Sequence, residues 1–304
     1  MKKDLLSLQD LTKDEIHDLL KEAGRLKADR HGASSVLKDK TIGLIFQKPS
    51  NRTRVSFEVG IHQLGGKCLY LGPGEINLGK RESTSDVAAT LSRYLDGIVA
   101  RTFKHDDIVE LGRTASIPVI NGLSDLYHPC QALADLMSIQ EKFSEFKGLK
   151  LAYIGDGNNV CHSLMLAGVK VGMNVAVATP PGYEPNPEIL KTAQEEARPL
   201  KAAVSLTHDP REAARDAHVI YTDVWASMGQ EEEHDSRVKI FRDYQINTAL
   251  LSQANTHCIF MHCLPAHRGE EVTAEVIDGP HSIVFDQAEN RLHIQKAILV
   301  FLFS

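Results

Sequence analysis

The stretch Thr41-Ile42-Gly43-Leu44-Ile45-Phe46-Gln47-Lys48-Pro49-Ser50-Asn51-Arg52-Thr53-Arg54 decides the fold. Its first six residues are mostly apolar and read as a buried strand. Pro49 cannot donate to a ladder and ends the strand, while Ser50 and Asn51 are good helix N-caps. A helix over about Arg52 to Leu64 follows. The same strand, turn and helix recur along the chain. Further strands are predicted at Cys68 to Leu71, Gly97 to Ala100, Pro118 to Ile120, Lys150 to Ile154, Asn174 to Ala178, Val219 to Thr222 and Cys258 to Met261. Helical segments separate them. One is capped by Ser83 and carries Val87, Leu91 and Leu95 on one face. Another opens at His128-Pro129 and runs through Gln131, Leu133, Leu136 and Ile139. Ahead of the first strand, Thr12 to Glu15 is a capping box followed by Ile16, Leu19, Leu20, Ala23 and Leu26 at helical spacing. Such alternation predicts the α/β class, with parallel sheets flanked by helices.

A chain of 304 residues suggests two domains at about 150 residues each. The polar segment Glu141 to Gly148 marks the exit from the first, so each domain is expected to have its own central parallel sheet. The last segment, Ala288 to Phe303, reads as an amphipathic helix. Lys plus Arg number 34 against 40 Asp plus Glu, a formal charge of −6, which argues against binding a nucleic-acid backbone. With 42% hydrophobic and 24% charged residues the chain is an ordinary globular protein, not a disordered one. No apolar run reaches the roughly 18 to 20 residues of a membrane span. The N-terminus turns acidic and helical too early for a secretory signal. The five cysteines, 68, 130, 161, 258 and 263, include no C-x-x-C pair. Neither a disulfide framework nor a zinc knuckle is indicated, and the cytosol is the expected location.

Open parallel sheets bind ligands beyond the carboxyl ends of their strands, so the residues there are the candidates for chemistry. Ser50 to Arg54 begin a helix, whose N-terminus offers N–H groups and partial positive charge. Hydroxyls and guanidinium groups add to this, suiting a small dianion such as phosphate. The bland alternative is a capped helix with two solvated arginines. Arg101 follows a strand and could fork onto the same anion or simply close the strand. His128 and Gln131 face one way and could hydrogen-bond a carbonyl or amide. Gly155-Asp156-Gly157-Asn158-Asn159-Val160 resembles a dinucleotide fingerprint. However, Val160 stands at the third glycine, and no acidic residue closes the strand ending Ala178-Thr179, which argues against a nicotinamide cofactor. Its asparagines suit the carboxylate of a zwitterion. Asp223 could receive an ammonium group and precedes a loop carrying the only tryptophan, Trp225. Cys263 is open to three readings: nucleophile, hydrogen-bond partner or packing. His267 and Arg268 follow it, and Arg291 starts the last helix.

Ser50-Asn51-Arg52-Thr53-Arg54, His128-Pro129-Cys130-Gln131, Asp223 with Ser227-Met228-Gly229, and His262-Cys263-Leu264-Pro265 occur in order at consistent intervals. Together they resemble the ornithine carbamoyltransferases, from about residue 3 to the end. The first two motifs indicate the wider transcarbamoylase superfamily, which includes aspartate carbamoyltransferase, and the last two select the ornithine branch. The resemblance implies a carbamoyl phosphate-binding domain over 1–137, with helix 288–304 packing back on it, and an ornithine-binding domain over 138–287. It implies that Ser50, Asn51, Arg52, Thr53, Asn77, Arg101, His128, Gln131, Cys263, Leu264 and Arg291 hold carbamoyl phosphate. Asn159, Asp223, Ser227 and Met228 receive ornithine, and Arg101, His128 and Cys263 serve catalysis. It further implies a trimer whose active sites are completed by a neighbour's loop around residues 77 to 81. The implied reaction makes citrulline for arginine biosynthesis and needs no metal or organic cofactor. Three positions depart from the family: Asn51 replaces the usual threonine, Pro49 a basic or polar residue, and Asn77 the glutamine of many bacterial members. A sister enzyme acting on putrescine, aspartate or an acylated ornithine is the alternative. A catalytically silent amino-acid-binding module is opposed by the intact Ser50 to Arg54 cradle.

Overall fold

The computed structural model describes residues 3–29, 35–76, 78–79, 81–226 and 231–304. The chain divides into two units, one running to Met137 and completed by Glu289–Ser304, the other Ser138–Ala288.

In the first unit, β1 (Thr41–Phe46), β2 (Lys67–Leu71), β3 (Gly97–Arg101) and β4 (Val119–Leu123) form one sheet in the order β2-β1-β3-β4. Every pairing in it is parallel. Its helices are α1 (Lys13–Ala28), α2 (Asn51–Gln63), α3 (Pro73–Ile76), α4 (Thr84–Leu91), α5 (His105–Thr114) and α6 (Pro129–Phe143), the last running past the unit boundary. The capping box at α1 is formed as read: Thr12 Oγ1 accepts from Glu15 N at 3.2 Å and the Glu15 carboxylate from Thr12 N at 2.8 Å. Ile45, Ile98, Ala100, Ile108, Leu111 and Val119 belong to one buried cluster that joins β1, β3 and β4 to α5.

In the second unit, β5 (Lys150–Ile154), β6 (Asn174–Ala178), β7 (Val204–Thr207), β8 (Val219–Thr222) and β9 (Ile259–His262) form a parallel sheet in the order β7-β6-β5-β8-β9. Around it lie α7 (Asn159–Lys170), α8 (Pro187–Ala197), α9 (Pro210–Ala214), α10 (His234–Phe241), α11 (Thr248–Leu251) and α12 (Ala274–Ile277). The final helix, α13 (Val284–Phe303), begins here and its body belongs to the first unit.

Both sheets reverse strand order once, at β1/β3 and at β5/β8. These switch points are where the strand connections diverge and leave a crevice for a ligand.

Four sequence expectations need correction. Arg101 does not follow its strand; it is the last strand residue, in register with Phe46. The fourth strand is shifted from Pro118–Ile120 to Val119–Leu123. Edge strand β7 gave no signal because it is short and only Val204 in it is buried. The C-terminal helix starts four residues earlier than read, and it is not amphipathic: Asn290, Arg291, His293, Gln295 and Lys296 are all buried. Buried polar groups need partners. Lys296 Nζ donates to Leu26 O at 3.3 Å, and Asn290 Oδ1 accepts from Lys27 Nζ at 2.8 Å.

Candidate active site

At the first switch point, Ser50 caps α2, its Oγ accepting from Thr53 N at 3.4 Å. Asn51 and Arg52 therefore head the helix, where main-chain N–H groups lack intrahelical acceptors and the dipole is positive. The turn is fastened to β3, because Gln47 N donates to Arg101 O at 2.8 Å. From α13, Arg291 spreads its guanidinium over two helices: Nη1 donates to Gln131 Oε1 at 2.6 Å and Nη2 to Thr53 Oγ1 at 3.0 Å. Gln131 Nε2 in turn donates to Asp135 Oδ1 at 2.8 Å. Thr53, Arg101, His128, Gln131, Asp135 and Arg291 are all buried.

This arrangement sets the protonation of His128. Burial first, then the positive charges of Arg291, Arg101 and Arg52, hold its imidazole well below the ordinary histidine range. Near neutrality it is an uncharged ring with one N–H to donate. Burial also pushes the Cys130 thiol up to about 12, so that residue is inert packing. The two arginines of the Ser50 to Arg54 segment separate: the Arg54 guanidinium lies 3.8 Å from the Tyr70 ring centroid and 3.3 Å from Glu58. Only Arg52 of that pair contributes to the electrostatics of His128.

At the second switch point, Gly155 leaves β5 with φ 149°, a conformation that favours glycine. Gly157 packs so tightly that a Cβ would press into the backbone of Tyr183, Glu184 and Pro185. The glycines of the apparent dinucleotide fingerprint thus serve the turn itself. Asn158 caps α7, its Oδ1 accepting from Val160 N at 2.9 Å and Cys161 N at 3.1 Å. Its Nδ2 donates to Asp223 Oδ2 at 2.8 Å. The other oxygen of Asp223 accepts from Cys263 Sγ at 2.9 Å and from Val224 N at 2.8 Å. Asp223 is buried and follows β8, whereas Cys263 is half-buried and follows β9. Leu264 has φ 57°, a strained value for a branched residue. Its N–H donates to His262 Nδ1 at 2.8 Å, which fixes Nε2 of that ring as the protonated nitrogen, and Nε2 meets Glu271 Oε1 at 3.2 Å. His262 and Glu271 are fully buried. The loop bearing Cys263 and Leu264 is therefore clamped from behind.

Within the first unit the structure gathers Thr53, Gln131 and Arg291 by direct hydrogen bonds, with Arg52, Arg101 and His128 joined by charge. Within the second it gathers Asp223 and Cys263. Asn159 heads α7, beside the asparagine that touches Asp223. Asn77, Ser227 and Met228 lie outside the described residues. Sequence reading passed over Asp135, Glu271 and Gln287, which hold the others in place, and offered Asn158 to a ligand carboxylate where the structure has it capping α7 and donating to Asp223. Asn158 was visible as an N-cap before α7; Gln287, which accepts from His262 N at 2.9 Å and donates to Tyr221 Oη at 3.1 Å, carried no signal.

Residues 3–141 match the carbamoyl-P binding domain, and residues 147–302 the Asp/Orn binding domain, of aspartate/ornithine carbamoyltransferase. The ornithine carbamoyltransferase of Thermococcus kodakarensis is 56% identical over 302 residues, which cover 99% of this chain and 96% of that protein. The structure of ornithine carbamoyltransferase from Pyrococcus furiosus is 54% identical with a TM-score of 0.96, covering 99% of this chain and 97% of that one. Anabolic ornithine carbamoyltransferase from Campylobacter jejuni is 39% identical with a TM-score of 0.93, covering 99% of this chain and 98% of that one. The chain belongs to the aspartate/ornithine carbamoyltransferase family.

Proposed function

We infer that this enzyme transfers the carbamoyl group of carbamoyl phosphate to the side-chain amine of L-ornithine, giving L-citrulline and phosphate. The observation that carries the reading is that each unit carries its own cluster at its switch point, a cationic one at β1/β3 and a carboxylate–thiol pair at β5/β8. Ser50, Asn51, Arg52 and Thr53 at the head of α2 receive the phosphate, with Arg101. His128, Gln131 and Arg291 attend the carbamoyl group. Asp223 orients the ornithine amine, Asn159, Ser227 and Met228 complete the amino-acid side, and Cys263 and Leu264 contact both substrates. Residues 1–137 with 288–304 form the carbamoyl phosphate domain and 138–287 the ornithine domain.

The amine must be neutral to attack. With lysine's model value of about 10.4, deprotonation at pH 7 costs roughly 4.6 kcal/mol. Asp223 alone would favour the ammonium form, so the site draws on the small neutral fraction. The nitrogen lone pair forms the new C–N bond, the carbon–oxygen bond to phosphate breaks, and the surplus proton passes to solvent or to the departing phosphate. Negative charge that develops on the carbamoyl oxygen is met by Arg101, by Thr53 and by the neutral His128 N–H, donors placed before reaction begins. Phosphate departs into the positive end of α2. Cys263 Sγ gives its hydrogen to Asp223. A carboxylate so close disfavours the thiolate, which supports direct transfer over a carbamoyl-cysteine intermediate.

We further place three copies in the working assembly, each site completed by a neighbour's residues 77 to 81. Exposed Val55 and Val59 on α2 and Leu69 on edge strand β2 give this apolar support, at 50%, 37% and 48% exposure. Biosynthesis of arginine in the cytoplasm is the proposed setting. Among the described residues no disulfide forms and no helix is long and apolar enough to cross a membrane.

Incubation with carbamoyl phosphate and ornithine is expected to yield citrulline, with kcat/KM for ornithine rising from pH 6 to about 8.5 as the amine loses its proton. Turnover of putrescine, aspartate or an acylated ornithine in preference to ornithine would instead favour the sister-enzyme reading. A flat pH profile would refute selection of the neutral amine.

A further inference from the structure

His267 and Glu270 lie on the turn after β9, and His234 opens α10. Both imidazoles converge on one carboxylate oxygen: His234 Nε2 is 3.1 Å and His267 Nδ1 3.5 Å from Glu270 Oε2. The ligating atoms of the three residues lie within 4.8 Å of one another. Zinc–nitrogen bonds of 2.0–2.1 Å in a tetrahedron set ligand atoms about 3.3 Å apart, so the observed spacing needs only small side-chain adjustment. We propose that His234, His267 and Glu270 form a binding site for a zinc-class divalent cation. Two imidazoles and one carboxylate make a borderline-soft donor set, with a fourth position left for water.

The surroundings support a built site. The turn is fixed from below, since Gln245 Nε2 donates to Gly269 O at 2.9 Å and Glu270 O at 2.7 Å. His267 N donates to Glu271 Oε1 at 2.6 Å, and Gly269 N to Val272 O at 2.8 Å. On the far side of His234, Nδ1 faces Asp235 Oδ1 at 3.3 Å. A carboxylate behind a ligating histidine selects the tautomer that leaves the other nitrogen for the metal. The side chains of His234, His267 and Glu270 are 38%, 48% and 30% exposed, so an ion reaches them from solvent. The site is separate in composition from Asp223, His262 and Cys263, which also approach one another but are engaged in the hydrogen bonds already described. A cation at His234 and His267 joins a helix downstream of Asp223 to a turn downstream of Cys263, and so couples the two strand ends that carry the ornithine side.

The test is titration of the full-length Cys263→Ser protein with Co²⁺, a zinc stand-in with a visible spectrum; this background removes the competing sulfur ligand. One equivalent is expected to bind with d–d absorption and to be displaced by Zn²⁺. Adding His267→Ala or His234→Ala should weaken binding by about 100-fold or more, and Asp235→Asn by about 10–100-fold. Zn²⁺ should raise the melting temperature of the Cys263→Ser protein and not of its His267→Ala derivative, while the two melt alike without metal. Undiminished binding in the histidine variants would overturn the proposal. So would a cobalt spectrum in the unsubstituted protein that vanishes entirely with Cys263→Ser.

Discussion

The two switch points solve opposite electrostatic problems. At β1/β3 the fold assembles Arg52, Arg101 and Arg291 around a histidine and, by burying that histidine among them, keeps it neutral. At β5/β8 it buries the Asp223 carboxylate among neutral donors, Asn158, Val224 N–H and Cys263, and gives the neighbouring Asp156 its own cation, Arg237. The first crevice concentrates the positive charges of three arginines on one buried ring before any ligand arrives. The second holds negative charge that neutral hydrogen bonds orient without cancelling. Each is thus fitted to a partner of the other sign, an anion in one and an ammonium-bearing amino acid in the other. The difference teaches that the same strand-order reversal supplies only a crevice, and that its contents decide what enters.

The comparison breaks most severely if the charges are removed from the first crevice. Arg52→Ala is expected to lower kcat/KM by about 10³-fold, or about 4 kcal/mol of transition-state stabilisation, with the fold intact because the side chain is half-buried at a helix start. Near-normal turnover by the folded variant would remove the phosphate assignment. In the second crevice the expected losses are smaller and fall on the other substrate. Asp223→Asn should raise KM for ornithine by about 100-fold while leaving carbamoyl phosphate affinity nearly unchanged, the loss of one charge-assisted contact. Cys263→Ser keeps a donor to Asp223 and should cost about tenfold in ornithine kcat/KM. Equal effects on both substrates would merge the two crevices into one function, and a carbamoylated Cys263 trapped on the reaction path would replace direct transfer.

The same contrast explains what could be read from sequence. The cationic side was legible because it is built from local runs: Ser50 to Arg54 and His128 to Gln131 each follow a strand and start a helix. Arg291 was placed from family resemblance alone, since its contacts with Thr53 and Gln131 span 238 and 160 residues of chain. On the ornithine side Asp223, Cys263 and the asparagines of the Gly155 to Val160 turn stood out. Gln287, Glu271 and His262 act behind them through buried hydrogen bonds, and neither periodicity nor spacing encodes such a bond. The last helix misled for a related reason. Its apolar end read as packing, but the amphipathic pattern does not hold, because tertiary partners such as Leu26 O and Lys27 bury its polar residues as well, overriding the local pattern.

The mildest effect sharpens the comparison furthest, because it asks whether His128 is in fact neutral. Unfolded, its pKa lies near 6.5; folded, burial and three arginines hold it lower. As pH falls below 6.5 the unfolded chain takes up a proton that the native state refuses, so stability drops with acidity. One such group should remove about 1 kcal/mol of unfolding free energy between pH 6.5 and 5.5. His105 and His293, also lowered by burial, add to the slope. In the second unit Asp156 opposes it: burial raises its carboxyl to about 6, so the native state binds a proton first and gains stability as pH falls from 6 towards 4. These groups are common to the unsubstituted protein and to His128→Gln, so the difference between the two isolates His128. Urea unfolding at pH 6.5 and 5.5 should show the variant losing about 1 kcal/mol less over that interval. Identical losses would mean that His128 titrates normally, and the cationic crevice would then face the carbamoyl oxygen with one more charge and without a neutral donor.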